Sequence, residues 1–208
     1  MGQADWRLLF VTHTEVVIDP HAPIESWPLS KVGRERMSRF AEALAGAGVT
    51  AVWSSAERKA MDGAQILGER LRISPKADAG LGENDRSATG YIAPPEFWEV
   101  VREFFARPDE SIRGWETARA AQARIVAAAE RVLAAEPAGR VVVVSHGGVA
   151  RLLSAHAEGC AIGEEDRPTH PGGGSYRLFG GDRLRPLGPW RDIEKFGDGV
   201  GVGQVRSS

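Results

Sequence analysis

The chain has 208 residues, of which 42% are hydrophobic and 26% charged, and its formal net charge is −2. This length suits one domain with a sizeable core, and the near-neutral charge gives no general case for nucleic acid or an anionic membrane as a partner. The single cysteine, Cys160, excludes an internal disulfide. A signal peptide and a run of about 20 apolar residues are both absent from the sequence, so we expect a cytoplasmic protein.

Short apolar runs alternate with amphipathic stretches from the start of the chain. Residues 7–12 predict a buried strand, which a long proline-containing loop follows. Ser30 is a candidate N-cap for the next helix, and Ser54 or Ser55 for the one after it. The remaining predicted elements are a strand at 50–54, a helix at 56–71, a weaker strand at 73–79, a loop at 80–95, and helices at 96–106 and 115–135. We expect the aromatic residues of the helix at 96–106, including Trp98, in the core.

The most informative stretch is VVVVSHGG, residues 141–148. Four valines predict a strand that is buried on both faces, and a helical pattern begins directly after His146. The start of a helix presents unpaired N–H groups, which suit an anion such as phosphate. His13 follows the first strand in the same way, so two histidines are predicted at strand ends.

The last part of the chain is rich in glycine. Residues 175–179 and 183–186 predict a hairpin. We expect residues 1–190 to form one domain and residues 191–208 to form a flexible tail, because the tail has little apolar mass.

Strands that alternate with helices predict an α/β protein, a three-layer α/β/α sandwich around a mostly parallel sheet. Ligands bind such sheets at the carboxyl ends of the strands. His13, His146, residues 54–59 and the loop that contains Glu83 are all predicted at that edge.

These residue types suit phosphoryl transfer through a histidine. A neutral imidazole can attack phosphorus, cations must stabilise the phosphoryl oxygens, and a carboxylic acid must protonate the leaving group. The predicted edge offers two histidines, Arg58 and Lys59 at a helix start, and Glu83. This chemistry requires neither a metal nor another cofactor.

Four segments resemble the motifs of the histidine phosphatase superfamily, which includes the phosphoglycerate mutases. They are FVTHTEV, SSAERKAMDGAQIL, LGENDRS and VVVVSHGGVARLL, in the family's order. The resemblance implies a phosphoglycerate mutase-like fold. It also implies that His13 accepts the phosphoryl group, that Glu83 is the general acid, and that His146 holds the phosphoryl group. Lys59 stands at the position of a motif arginine, whereas Arg58 falls at a position that the family leaves variable.

The first motif departs from the family's Arg-His-Gly, because Thr12 and Thr14 flank His13. Asp19 also stands where many members have asparagine. A threonine cannot replace the charged fork of an arginine, and a lysine is only a point charge. We therefore consider Arg86 as a replacement cation, and Thr12 and Thr14 as contacts of the substrate.

The leading hypothesis is a phosphatase that hydrolyses a phosphate monoester through a phosphohistidine at His13, with a small phosphorylated substrate or inorganic phosphate as its ligand. The alternative is a weakly active or inactive relative that binds an anionic ligand or a protein partner. A metal-dependent hydrolase with zinc at His13, Asp19 and His21 is a third possibility. The substrate and the oligomeric state stay open.

Overall fold

A computed structural model describes residues 6–181 and 183–197. Within these residues seven strands form one sheet, in the order β3-β2-β4-β1-β5-β6, and β7 pairs with β5. The strands β1 to β4 are mutually parallel, and β5 joins them antiparallel to β1. The strand bounds are Trp6–Thr12 (β1), Val49–Ser54 (β2), Lys76–Ala77 (β3), Arg140–Ser145 (β4), Ser175–Gly180 (β5), Arg185–Pro186 (β6) and Arg191–Asp192 (β7).

Five α-helices cover the two faces of the sheet in the described part of the chain. They are Lys31–Leu44 (α1), Arg58–Leu71 (α2), Glu96–Ala106 (α3), Ala118–Ala135 (α4) and Gly147–Glu158 (α5). The side chains of α1 and α2 share one apolar cluster with the sheet, and those of α3, α4 and α5 share the other. The predicted three-layer α/β/α sandwich is confirmed. No helix of residues 6–181 and 183–197 is long and apolar enough to cross a membrane.

The side chains of the central strands point alternately to the two faces of the sheet, and this alternation produces the two cores. Successive side chains of a strand point to opposite faces, and the apolar runs of β1 and β4 fill both. Leu8 and Phe10 contact the α3–α5 side, whereas Leu9 and Val11 contact the α1–α2 side. All four valines of β4 are fully buried, as expected for a central parallel strand.

Three local predictions differ from the structure. The third strand is limited to two residues. The helix α2 begins at Arg58, and its N-cap is Glu57 rather than Ser54 or Ser55. Trp98, expected in the core, is 62% exposed because it lies on the outer face of α3.

The chain remains packed beyond residue 190, where the sequence predicted a flexible tail. Strand β7 pairs with β5, Ile193 is buried in the α1–α2 core, and Glu194 forms an ion pair with Arg36 on α1. Phe196 also packs against Phe40 and Tyr176, so a short strand and two apolar side chains hold the segment through residue 197. Residues 198–208 lie outside the described part.

The ends of three parallel strands bring the predicted site together. The backbone N–H of His13 donates to the carbonyl of Ser145 at 2.8 Å, and that of Ser55 donates to the carbonyl of Val144 at 3.1 Å. The residues that follow β1, β2 and β4 therefore start from adjacent points on one edge of the sheet.

Candidate active site

His13 is held in one tautomer by the backbone that follows it. Its Nδ1 lies 2.8 Å from the carbonyl oxygen of Thr14, which can only accept, so Nδ1 carries the hydrogen. Nε2 has no hydrogen-bond partner among the described residues. Burial lowers the pKa of His13 to about 4, and the charges of Lys59 and Arg86 act in the same direction. At neutral pH, Nε2 is therefore an available lone-pair nitrogen.

The two threonines beside His13 hold the strand end in place. The hydroxyl of Thr14 donates to the carbonyl of Gly33 at 2.7 Å, and the hydroxyl of Thr12 accepts from the N–H of Ser175 at 3.0 Å. Both side chains are almost completely buried. Their hydroxyls therefore contact the scaffold instead of pointing into an anion site, and the predicted substrate contacts of Thr12 and Thr14 have no support in this geometry.

A second brace reaches His13 from the other side. The N–H of Gly174 donates to the carbonyl of His13 at 3.0 Å. Gly173 has φ +63°, and a Cβ there would lie 2.1 Å from the same carbonyl oxygen, so only glycine fits. The guanidinium of Arg36 donates to the carbonyls of Gly172 and Gly173, both at 3.1 Å.

His146 lies beside His13 but is much more enclosed. The ring centroids are 5.2 Å apart, and His146 is completely buried. Its Nε2 lies 2.7 Å from the hydroxyl of Ser55 and 3.2 Å from Oε1 of Glu57. Burial holds the pKa of His146 well below its usual value, against the effect of Glu57. The other ring nitrogen, Nδ1, is buried and has no partner among the described residues.

Glu57 is a carboxylate at the centre of the cluster that the sequence did not point to. Its Oε2 lies 2.5 Å from Nζ of Lys59, and its Oε1 accepts the backbone N–H of Glu83 at 2.7 Å. Burial alone would raise the pKa of Glu57, but His146 and Lys59 outweigh it and hold that pKa at about 2. Glu57 is therefore ionised at every pH at which the protein would be assayed.

Lys59, the predicted phosphate contact, is paired within the chain. Its side chain is only 4% exposed. Besides the Glu57 carboxylate, its ammonium group contacts the carbonyl of Ile24 at 2.9 Å. A phosphate must therefore share this cation with Glu57 or displace Glu57 from it.

Glu83 occupies the start of helix α5. Its Oε2 accepts the N–H of Gly148 at 2.9 Å, and its Oε1 accepts the N–H groups of Val149 at 3.0 Å and Asn84 at 3.1 Å. A Cβ at Gly148 would lie 2.5 Å from Oε1, so the close approach needs glycine. The helix-start anion position predicted for a ligand is thus filled by a side chain. Glu83 must leave these donors before it can give a proton to a leaving group.

The two remaining predicted cations are placed differently. Arg86 is half-buried, lies over the rings of Phe97 and Trp115 at 5.4 and 5.7 Å, and lines a cavity of about 410 Å³ with Glu57 and Glu83. Arg58 is exposed and pairs with Asp62 at 2.7 Å. The structure therefore brings Arg86 to the site and leaves Arg58 outside it.

The cluster is electrically balanced, with Lys59 and Arg86 facing Glu57 and Glu83. It can supply a neutral histidine with an available nitrogen, a second histidine with an open nitrogen, and the Glu83 carboxylate. Among the residues that the structure describes, no group of three histidine, cysteine, aspartate or glutamate side chains is arranged to hold a metal.

The sequence predicted residues 54–59 at this edge of the sheet but indicated roles only for Arg58 and Lys59, so the contacts of Ser55 and Glu57 were not predicted. The available signal was the position of Glu57, two residues before Lys59 in the turn between β2 and α2. A carboxylate at that point of a strand-to-helix turn faces the same sheet edge as the motif cation.

Comparison with known proteins agrees with the fold. The mycobacterial glucosyl-3-phosphoglycerate phosphatase superposes with a TM-score of 0.72 at 22% identity, covering 89% of this chain and 96% of that one. YhfR from Bacillus stearothermophilus gives a TM-score of 0.71 at 20% identity, with 86% and 93% covered. A phosphoserine phosphatase mutant from Entamoeba histolytica, in complex with phosphoserine, gives 0.71 at 12% identity, with 90% and 97% covered.

A comparison with curated protein sequences finds no match. The family model of the histidine phosphatase superfamily (branch 1), by contrast, matches residues 8–183. This range includes all four motif segments, strands β2 to β5 and all but the first two residues of β1. The chain therefore belongs to the histidine phosphatase superfamily.

Proposed function

We propose that this protein is a phosphatase that hydrolyses a small phosphate monoester through a phosphohistidine at His13. The observation that carries the proposal is the fixed tautomer of His13, which leaves Nε2 without a partner beside the open Nδ1 of His146. Membership of the superfamily supports it, as does the phosphatase activity named for several structural neighbours. One of these, the mycobacterial enzyme, has been solved with inorganic phosphate.

In the first step, Nε2 of His13 attacks phosphorus and the bond from phosphorus to the ester oxygen breaks. Glu83, protonated and turned away from α5, gives its proton to the departing oxygen. The hydrogen bond from Nδ1 to the Thr14 carbonyl stabilises the ring as it becomes positively charged. In the second step, a water attacks the phosphohistidine, Glu83 takes a proton from that water, and phosphate leaves.

The neighbouring groups hold the transferring phosphoryl group. The hydroxyl of Ser55 donates to Nε2 of His146, so the neutral ring offers Nδ1–H, and Lys59 and Arg86 offer positive charge. Donors already aimed at the developing charge lower the barrier without reorganising during the reaction. The cavity that Arg86 lines gives the ester group a place to lie.

The second candidate is an anion-binding relative with little turnover, and a specific observation favours it. Glu57 places a negative charge against Lys59 and His146, where the phosphoryl group should bind. Two unit charges 4 Å apart interact by about 4 kcal/mol at an effective dielectric constant of 20. This repulsion works against a dianionic ligand, and no motif arginine compensates for it.

Trapping of the phosphoenzyme separates the two candidates. The protein is mixed with a generic aryl phosphate, quenched in alkali, and examined for phosphohistidine by mass spectrometry. We expect phosphate on His13 in the wild type and at least a thousandfold loss of turnover in His13→Ala. His21→Ala, which removes an exposed histidine of the adjacent loop, is the matched control. Hydrolysis that survives in His13→Ala would refute the proposal, and ligand binding without turnover in the wild type would favour the second candidate.

A further inference from the structure

The carboxylate of Glu57 occupies the cation that the proposed reaction assigns to phosphate. Its two oxygens accept from Nζ of Lys59 at 2.5 Å and from the backbone N–H of Glu83 at 2.7 Å, and Nε2 of His146 lies 3.2 Å away. Its side chain is only 16% exposed. A cation and an amide that converge on one oxygen pair are donors that bind an oxyanion.

We propose that Glu57 is an intramolecular competitor for the phosphate site, which a substrate must displace from Lys59 before it can react. The inference rests on the proposed function, because it takes phosphate as the ligand. It adds a residue that sets affinity and selectivity without taking part in the chemistry.

The surrounding contacts leave little room for sharing. Lys59 already donates to both Glu57 and the carbonyl of Ile24. The other anion position, at the start of α5, is filled by Glu83. A phosphate dianion that entered with both carboxylates in place would meet two negative charges at short range. Exchange of Glu57 for the incoming anion removes one of them and releases Lys59.

Glu57 is placed so that it can leave without unwinding the helix. It is the N-cap residue of α2, with φ −77° and ψ 141°, and its side chain makes no capping hydrogen bond. Its departure therefore costs no hydrogen bond at the helix start. The cavity beside it, of about 410 Å³, leaves space into which the displaced carboxylate can move.

The test compares two single-charge changes at the same cavity. Glu57→Gln removes the charge and keeps the shape, and Glu25→Gln makes the same change at an exposed residue of the cavity rim. Inorganic phosphate is titrated against each full-length variant, with affinity measured by calorimetry and by the rise in melting temperature. We expect phosphate to bind Glu57→Gln at least tenfold more tightly than the wild type, and Glu25→Gln to change affinity less than twofold.

Several outcomes would overturn the inference. Equal gains of phosphate affinity in both variants would mean that only the overall negative charge of the cavity matters. Unchanged or weaker phosphate binding in Glu57→Gln would mean that the carboxylate does not compete. Glu57→Leu, which cannot donate or accept, repeats the test if the glutamine variant does not fold. Tighter phosphate binding without hydrolysis in any variant would support the competitor and refute the proposed function. Hydrolysis by the wild type with unchanged phosphate affinity in Glu57→Gln would support the proposed function and refute the competitor.

Discussion

The two histidines of the site stand in opposite surroundings. His13 is half-buried, with one nitrogen fixed by the Thr14 carbonyl and the other without a partner among the described residues. His146 is completely buried, and Ser55 and Glu57 contact its Nε2. The motif around His146 agrees better with the family than the motif around His13. Nevertheless, it is His146 whose surroundings are occupied by other side chains, those of Ser55 and Glu57.

This contrast separates the nucleophile from the anion site. The His13 side depends on backbone carbonyls and threonine hydroxyls that fix geometry, and it has kept the arrangement that attack requires. On the His146 side, Glu57 and Glu83 occupy both places where an anion would be held. Under the proposed function, His13 is ready to attack, whereas the substrate binds by exchange with Glu57.

Among variants that keep His13, the largest effect should come from removing the acid itself. Glu83→Gln cannot give a proton to the leaving group, and Glu25→Gln makes the same change at an exposed residue of the cavity rim. We expect Glu83→Gln to lower kcat for an aryl phosphate about a hundredfold, and Glu25→Gln to stay within threefold. Wild-type turnover in Glu83→Gln would show that Glu83 is not the acid.

The pH dependence of stability tests the burial of the His13 side. Because the pKa of His13 falls from 6.5 to about 4 on folding, the unfolded chain binds more protons between these values. The stabilisation is therefore complete above pH 6.5 and is lost as pH falls towards 4. From pH 7 to pH 5 the wild type should lose about 2 kcal/mol more free energy of unfolding than His13→Asn. Urea titrations at both pH values measure these free energies of unfolding. Equal losses in the wild type and His13→Asn would contradict a neutral His13 ring in the folded protein.

The smallest effect concerns the two arginines. Arg86→Ala should raise the KM for an aryl phosphate about tenfold, because a partly buried cation at the cavity is lost. Arg58→Ala makes the same charge change at an exposed ion pair, so we expect less than a twofold change. Steady-state kinetics of both variants decide the matter. Equal effects would mean that overall charge, not position, attracts the substrate.

The sequence predicted the layers and the edge because both depend on local patterns. The four valines of β4 and the apolar run of β1 require burial on both faces, and parallel strands place His13 and His146 together. The same reasoning could not extend to the tail, because a two-residue strand and the two apolar side chains of Ile193 and Phe196 give almost no periodic signal.

The side-chain contacts of the site lay beyond such patterns. Lys59 and Thr14 were read as substrate contacts from their places in the motifs, yet their partners are Glu57 and the carbonyl of Gly33. The conformation of the loops determines these partners, and local sequence patterns do not predict that conformation. Arg86 could be predicted because the motifs lack an arginine and a replacement cation is needed. No departure from the motifs indicates that the pocket also contains the carboxylate of Glu57.

The brace formed by Arg36 makes the end of the folded chain part of the support of His13. Glu194 pairs with Arg36, Arg36 holds the carbonyls of Gly172 and Gly173, and Gly174 holds the carbonyl of His13. The family match ends at residue 183, before this glutamate. A recombinant protein trimmed to that match would keep all four motifs but lose the ion pair of Glu194 that supports the proposed nucleophile. Expression of this protein should therefore extend beyond residue 197.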